Sequence, residues 1–355
     1  MEGARFHSLT VGDVERLTDD AVAVTLEVPD DLAAAFAYRP GQHVTLRATI
    51  HGADVRRSYS ICSDATEGRL RVGIKRLDGG TFSTWANEQL HPGATLQVMP
   101  PGGEFIIDPD PGTARHYAAI AAGSGITPVL SHVSTVLQVE PESRFTLVFG
   151  NRESRSVMFL EELEGLKDRY LERFQLIHVL SREEASVPLF SGRLDQGKLN
   201  ALLDTVVDAA SVDDWYLCGP YEMVDDARSV LLARGVPEAR VHQELFFSEP
   251  SGAPPEEPED TTGFSTVRFV LEARASTVLV DPGGLPILDH ALTVRRELPF
   301  SCRGGMCTTC KARVVAGEVR MDKNWSLTQE ELDAGYILTC QSHPVSDSVE
   351  LTYDV

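Results

Sequence analysis

The sequence predicts a multidomain chain: an antiparallel β-barrel, then a doubly wound parallel α/β domain, then a small C-terminal module holding four of the six cysteines. Three observations predict it. Up to about residue 110, alternating segments such as "AVAVTLEV", "HVTLRATI" and "RLRVGIKRL" are punctuated by "RPGQ", "HPGA" and "PPGG", the pattern of antiparallel strands joined by tight turns. From "HYAAIAAGSGITPVLSHVSTVLQV" onward, apolar strands ("FTLVFGNR", "FQLIHVLS", "DWYLCGP") alternate with helical segments, which implies a parallel sheet covered by helices. Residues 249–263, "EPSGAPPEEPEDTTG", hold four prolines and five acids and no aliphatic side chain larger than alanine. Such a stretch cannot bury a core and reads as an extended linker. The expected boundaries are 1–110, 111–248, the linker 249–263, and 264–355.

A chain of 355 residues exceeds one ordinary domain, and 42% apolar content supports real cores. The formal net charge of −21 argues against a nucleic-acid partner, because phosphate binding relies on basic patches. The start, "MEGARFHSLTVGDVERLTDD", has no apolar run of signal-peptide length, and no stretch approaches the roughly 20 apolar residues of a membrane span. The expectation is a soluble, cytoplasmic protein with no membrane partner. In a reducing cytosol, clustered cysteines serve metals or redox chemistry more often than structural disulfides.

In "AAGSGITP" (121–128) small residues sit where a strand turns into a helix. Gly123 and Gly125 would let the backbone approach a pyrophosphate at the helix N-terminus, and Thr127 would add a hydroxyl. This is not a full G-x-G-x-x-G, and a tight turn needs glycine for geometry alone. A second turn, "CGP" at Cys218–Pro220, follows a later strand of the same sheet, and ligands of such sheets sit at the carboxyl ends of strands. In "NRESRS" (151–156), Arg152 and Arg155 suit a 2′-phosphate and so NADPH, while Glu153 between them keeps NADH open. Solvated loop charges are the competing reading.

Within the barrel, "RRSYSICS" (56–63) places Arg57 and Tyr59 on one face of a strand and Ser60 on the other. "DGGTFSTW" (78–85) is a glycine turn opening a helix, with Ser83 placed to meet a phosphate. An ordinary edge strand and helix cap are the bland alternatives. The order R-x-Y-S, G-x-x-S, G-S-G-I-T-P, C-G-P resembles the ferredoxin-NADP⁺ reductase family over roughly residues 5–248. The resemblance implies FAD, with Arg57 on the flavin pyrophosphate, Tyr59 stacked on the isoalloxazine, Ser60 near N5, and Gly80, Thr81 and Ser83 capping the phosphates. It favours FAD over FMN through "GGTFS". "HQELFF" (242–247) matches the end of that domain and implies Glu244 and Phe246 at the flavin–nicotinamide junction. Gly123, Gly125, Thr127, Arg152, Arg155, Cys218 and Gly219 make up the implied NADPH set. Cys62 and Cys218 read as small buried residues and not as metal ligands.

The remaining cysteines, Cys302, Cys307 and Cys310 in "SCRGGMCTTC" and Cys340 in "LTCQSHP", run C-x4-C-x2-C with the fourth after 29 residues. This is the plant-type spacing for a [2Fe–2S] cluster. Tight turns are needed there to aim backbone amides at negative sulfurs, and Gly304 and Gly305 supply that freedom. A zinc site and disulfides compete for the same residues. Structural zinc usually shows paired C-x2-C units, and here only Cys307 and Cys310 form one. A Rieske centre would need two histidines. Residues 264–355 resemble a plant-type ferredoxin, implying an α+β (β-grasp) fold. Arg303, Lys311 and Arg313 surround the cluster loop with no acid between 301 and 313, so a neutral-to-basic docking face is expected.

The domain order resembles the reductases of multicomponent oxygenases, and the cluster segment together with "VFGNRESRSVMF" resembles the reductase subunits of phenylacetyl-CoA epoxidases. That implies electron transfer from NADPH through FAD and [2Fe–2S] to an oxygenase component with a di-iron site, in phenylacetate breakdown. Reductases of Rieske-type oxygenases such as steroid 9α-hydroxylase share the domain order and remain the alternative. A redox sensor or binding protein is the reading from another class; the intact Tyr59, Ser60 and Phe246 argue against it.

Overall fold

The computed structural model describes residues 6–246, 263–295 and 297–354. The chain divides into two compact units, Met1–Phe246 and Phe247–Val355; the expected linker, up to residue 262, lies outside the described residues.

The first unit opens with strands β1 (His7–Thr18), β2 (Ala21–Glu27), β3 (His43–Ile50), β4 (Ala53–Ser60), β5 (Leu70–Lys75) and β6 (Thr95–Val98). They form an antiparallel sheet in the order β4-β3-β6-β1-β2-β5. A bridge between Ile61 and Val72 joins its two outer edges, and the Cys62 amide donates to the Arg71 carbonyl at 2.9 Å. The sheet thereby closes into a barrel and leaves few open edges. Helix α1 (Thr81–Glu88) drops Phe82 and Ala86 into the barrel core. Strand β2 is buried on both faces: Val22, Val24 and Leu26 point into the barrel, whereas Ala21 and Ala23 belong to the core of the next domain. Alternating valine and alanine is the local signature of that double burial, with the small side chains where a second layer comes close.

That second layer is a parallel sheet of β7 (His116–Ala122), β8 (Arg144–Asn151), β9 (Phe174–Leu180), β10 (Asp214–Gly219) and β11 (Val241–Leu245). Its order is β11-β10-β7-β8-β9. Helices α2 (Ile126–Val139), α3 (Leu160–Arg169), α4 (Gln196–Thr205) and α5 (Tyr221–Ala233) make the crossovers. Chain order reverses direction between β7 and β10, the switch point at which such sheets open a crevice for ligands. Helix α2 is buried almost all round because it lies between sheet and barrel; a Cβ on Gly73 of β5 would stand 2.7 Å from its Thr127 methyl.

The second unit holds β12 (Ser265–Leu271), β13 (Arg274–Val280), α6 (Ile287–Val294), β14 (Lys311–Ala316), β15 (Val319–Met321), α7 (Gln329–Asp333), β16 (Tyr336–Leu338), β17 (Ser342–Pro344) and β18 (Ser348–Thr352). Five strands run β13-β12-β18-β14-β16, with β12 and β18 the parallel pair. Ile287, Leu288 and Ala291 of α6 share their core with Phe269, Leu351, Cys310 and Cys340, giving the expected β-grasp. Among the described residues no helix is long and apolar enough to cross a membrane.

Candidate electron-transfer site

The end of β4 and the edge of the parallel sheet meet in a seam. The Ser60 hydroxyl donates to Glu244 Oε2 at 3.0 Å across 184 residues of sequence. Cys218 lies opposite Glu244 in the β10–β11 register. Burial pushes the Glu244 carboxyl up to about 7 against the pull of the Ser60 hydrogen bond, and burial, then Glu244, pushes the Cys218 thiol well above its ordinary value. Tyr59 packs against Phe82 of α1, with ring centroids 5.6 Å apart, and burial raises its phenol. Phe246, the last described residue of this unit, is 39% exposed. The sequence-predicted Ser60, Cys218 and Glu244 are therefore brought together. His43 was not foreseen: its Nδ1 stands 3.9 Å from Glu244 Oε1. The signal that finds it is "HG" at 51–52, where both residues have positive φ. A two-residue turn of that kind sets the hairpin register, and the register puts His43 opposite Ser60.

The two glycine turns of the switch point touch. A Cβ on Gly125 would stand 2.1 Å from the Cys218 carbonyl oxygen, and one on Gly219 3.2 Å from the Ala122 amide nitrogen. Gly123 has φ +55 and open space beside it. No side chain caps α2, and its Ile126 amide donates to the Gly123 and Ser124 carbonyls. The expected hydroxyls are otherwise engaged. Thr127 Oγ1 donates to the Ser124 carbonyl at 3.0 Å, and Ser83 Oγ accepts from the Leu77 amide at 3.1 Å and donates to the Gly80 carbonyl. Both hydroxyls fix turns. Helix α1 also has no side-chain cap. A cleft of about 300 Å³ beside it is lined by Gly80, Thr81, Thr84, Trp85 and His51. Arg57 donates to the Arg56 carbonyl at 2.7 Å, and among the described residues no carboxylate pairs with it. A guanidinium with no carboxylate partner among the described residues, helices without side-chain caps and a glycine cradle fit a flavin dinucleotide and a nicotinamide dinucleotide.

Past β8, Arg155 is held by Glu153 at 2.6 Å, whereas Arg152 is exposed. The Arg182 amide donates to the Arg152 carbonyl at 2.8 Å, so a second arginine, missed in the sequence, stands beside the first. The loop is fixed by Glu183, which accepts from the Ser154 amide and hydroxyl.

In the second unit every thiol is free. Cys302 Sγ accepts from the Gly304 amide at 3.3 Å and the Cys307 amide at 3.4 Å. The Cys307 thiol and these amides push the Cys302 thiol down, while Cys310 pushes Cys340 up. The thiols thus lie as two pairs, Cys302 with Cys307 and Cys310 with Cys340. Among the described residues no three ligands converge on one ion. Two pairs fit a two-iron cluster. The loop takes positive φ at Gly305 and also at Arg303 and Thr308.

Of the three cations behind the neutral-to-basic face expected from sequence, two are neutralised. Arg303 pairs with Asp289 of α6 and lies over the Phe300 ring, and Lys311 sits 3.0 Å from Glu331 of α7. Only Arg313 of the three is exposed. The neutralising acids come from helices outside the loop, beyond the reach of a local charge count.

Family models match in the same order: an oxidoreductase FAD-binding domain over residues 8–107, an oxidoreductase NAD-binding domain over 119–229, and a 2Fe-2S iron-sulfur cluster binding domain over 270–345. The chain is 42% identical to a 1,2-phenylacetyl-CoA epoxidase subunit of Escherichia coli (strain K12), covering 98% of both chains. It is 34% identical to the 3-ketosteroid-9-alpha-monooxygenase ferredoxin reductase component of Rhodococcus rhodochrous, covering 99% of this chain and 98% of that one. In fold it is similar to phthalate dioxygenase reductase, with a TM-score of 0.58 at 22% identity over 98% of each chain. The chain belongs to the family of NAD(P)H-dependent oxidoreductases that combine FAD-binding, NAD-binding and C-terminal [2Fe–2S] domains, the family that includes the 1,2-phenylacetyl-CoA epoxidase relative.

Proposed function

We propose that this chain is the reductase component of a phenylacetyl-CoA epoxidase, delivering electrons from NADPH to an oxygenase component with a di-iron site. The observation that carries the reading is the relationship to the Escherichia coli epoxidase protein along 98% of both chains. In the proposed division, residues 1–110 hold FAD, 111–248 hold the nicotinamide dinucleotide, 249–263 link, and 264–355 hold the cluster.

When bound, FAD takes a hydride and releases its electrons singly, and the [2Fe–2S] cluster carries one electron at a time. The chain's own residues bind and orient. Arg57 and the first-turn amides of α1, around Gly80, Thr81 and Ser83, take the flavin pyrophosphate. The cleft at Trp85 takes the part of FAD that FMN lacks. Tyr59 packs against the ring, and Gly123, Gly125, Thr127, Cys218 and Gly219 shape the pyrophosphate cradle of NADPH. Arg152, with Arg155 and Arg182 beside it, offers positive charge to a 2′-phosphate. Ser60 and Glu244 hold a proton at the junction, near Phe246. Cys302, Cys307, Cys310 and Cys340 are the proposed cluster ligands.

Reconstitution with phenylacetyl-CoA epoxidase oxygenase subunits, phenylacetyl-CoA and NADPH tests the partner. Epoxide formed in step with NADPH consumed is expected. NADPH oxidation without product would turn the assignment to the second reading, a Rieske-type oxygenase such as a steroid 9α-hydroxylase, which the full-length similarity to the 3-ketosteroid enzyme's reductase favours.

A further inference from the structure

We propose that Trp325 anchors the surface on which the second unit docks its electron acceptor, and that this surface holds its partner by apolar contact more than by charge. The inference rests on the reading of the chain as an oxygenase reductase, and the occupant is the oxygenase component.

Of the three tryptophans, Trp215 is fully buried, Trp85 is half-buried and only Trp325 is exposed. A single exposed apolar side chain is ordinary; this one is set apart by how firmly it is held and where. Asn324 clamps its turn. The Asn324 side-chain oxygen accepts from the Ser326 amide at 3.2 Å and the Leu327 amide at 2.8 Å, and its amide donates to the Leu327 carbonyl at 2.9 Å. The Trp325 amide and the Ser326 hydroxyl both donate to the Gly305 carbonyl, at 3.1 Å and 3.3 Å. A Cβ on Gly305 would stand 2.9 Å from the Lys323 carbonyl oxygen, so turn and cluster loop meet backbone to backbone. Gly305 lies between Cys302 and Cys307, the two proposed ligands that are only half-buried, whereas Cys310 and Cys340 are buried. Trp325 is therefore fixed at the open side of the loop, where an electron has the shortest way out.

Much of the charge around the loop and the turn is already paired: Arg303 with Asp289, Lys311 with Glu331 and Arg320 with Asp322. Paired surface ions steer an approaching partner weakly and are screened by salt. Tryptophan is among the side chains that dominate protein interfaces, and one held rigidly beforehand loses little freedom on binding.

The test uses the full-length protein loaded with flavin and cluster. It is titrated calorimetrically with the oxygenase component of a phenylacetyl-CoA epoxidase and, separately, with that of a 3-ketosteroid 9α-monooxygenase. The variants are Trp325→Ala, Trp325→Phe and, as control, Leu279→Ala, an exposed leucine on β13 at the sheet edge opposite β16. For the component that wild type binds, Kd is expected to rise roughly thirtyfold in Trp325→Ala, the size of a hot-spot truncation. Trp325→Phe should recover most of that loss, and Leu279→Ala should match wild type. Raising salt to physiological strength should change the wild-type Kd by less than about threefold. Cluster absorbance, flavin bleaching by NADPH and reduction of ferricyanide, which needs no docking surface, should be the same in all four proteins. Wild-type Kd in Trp325→Ala, an equal loss in Leu279→Ala, or a Kd governed by salt overturns the proposal. If wild type binds only the 3-ketosteroid component, the epoxidase reading fails while the variants still decide the role of Trp325. If it binds neither, the docking surface falls as well.

Discussion

Gly125→Ala probes the place where the two glycine turns meet. The added Cβ would stand 2.1 Å from the Cys218 carbonyl oxygen and 2.5 Å from its carbon, where ordinary contact begins at 3.4 Å, so the turn must retreat by roughly 1.3 Å. Both neighbours are backbone, in strands locked side by side by β7–β10 pairing, so no side chain can swing away. Overpacking a tight site costs about 1–3 kcal/mol, and rigid backbone on one side puts this case at about 2–3 kcal/mol. A displacement of that size in a positioning element lowers function by up to about a hundredfold, so NADP⁺ affinity should fall by about tenfold to a hundredfold. Gly235→Ala is the control. It lies past α5 with φ +83 and open space around it, and there a Cβ costs only the left-handed penalty of about 1–2 kcal/mol. Urea denaturation reads stability, and perturbation of the flavin spectrum by NADP⁺ reads affinity. The control should lose stability and keep its affinity. Wild-type NADP⁺ affinity in Gly125→Ala, with less than about 1 kcal/mol lost, would show that the turn has slack and that the clash argument is wrong.

Arg71, 5% exposed, donates to both oxygens of Glu162 on α3 and to Glu15 on β1. Because both acids are half-exposed and rehydrate, Arg71→Met should cost about 2–3 kcal/mol in urea denaturation, below the about 3–5 kcal/mol of a fully buried pair. Glu244 is raised from 4.5 to about 7 by burial. The folded state therefore binds its proton more tightly, and that stability is full below 4.5 and lost as pH rises through 7. The urea midpoint should fall across that window in wild type and stay flatter in Glu244→Gln. Alanine at Arg152 or Arg182 should raise KM for NADPH several-fold and leave NADH turnover unchanged, and an equal effect on both coenzymes would remove these residues from the 2′-phosphate site. Cys307→Ser should preserve flavin bleaching by NADPH and lose delivery to a one-electron acceptor that draws on the cluster; undiminished delivery would remove Cys307 from the ligand set.

Much of this was legible in the sequence because it depends on local spacing. The period of two in β2, the strand–glycine–helix passage into α2 and the C-x4-C-x2-C loop each impose geometry within a few residues. The residues missed, His43, Arg71 and Arg182, act through neighbours far away in the chain. Two of the predicted phosphate hydroxyls are also engaged within their own turns. Ser83 and Thr127 have the right chemistry, but each has a carbonyl of its own turn within reach, and a local partner competes ahead of a ligand. The charge around the cluster was legible only in part. Arg303 and Lys311 are close to the loop in sequence, and the acids that neutralise them, Asp289 and Glu331, arrive only with the packing of α6 and α7.

The junction is a product of that long-range packing more than of any motif. Barrel and α/β layer approach closely enough for Ser60 to reach Glu244 because small residues stand where they meet, Ala21 and Ala23 on β2 and Gly73 against Thr127. Gly41 belongs to the same set, since a Cβ there would stand 2.2 Å from His132 Nε2 of α2. Apolar burial across the shared core and the Arg71 pairs to Glu15 and Glu162 then hold the two layers together. A densely packed interior transmits displacement instead of absorbing it, so enlarging any of these small residues should act on the Ser60–Glu244 distance even from the far side of α2. The geometry of the proposed hydride-transfer junction is thus set by the folding of the first unit as a whole, and "R-x-Y-S" marks where it surfaces.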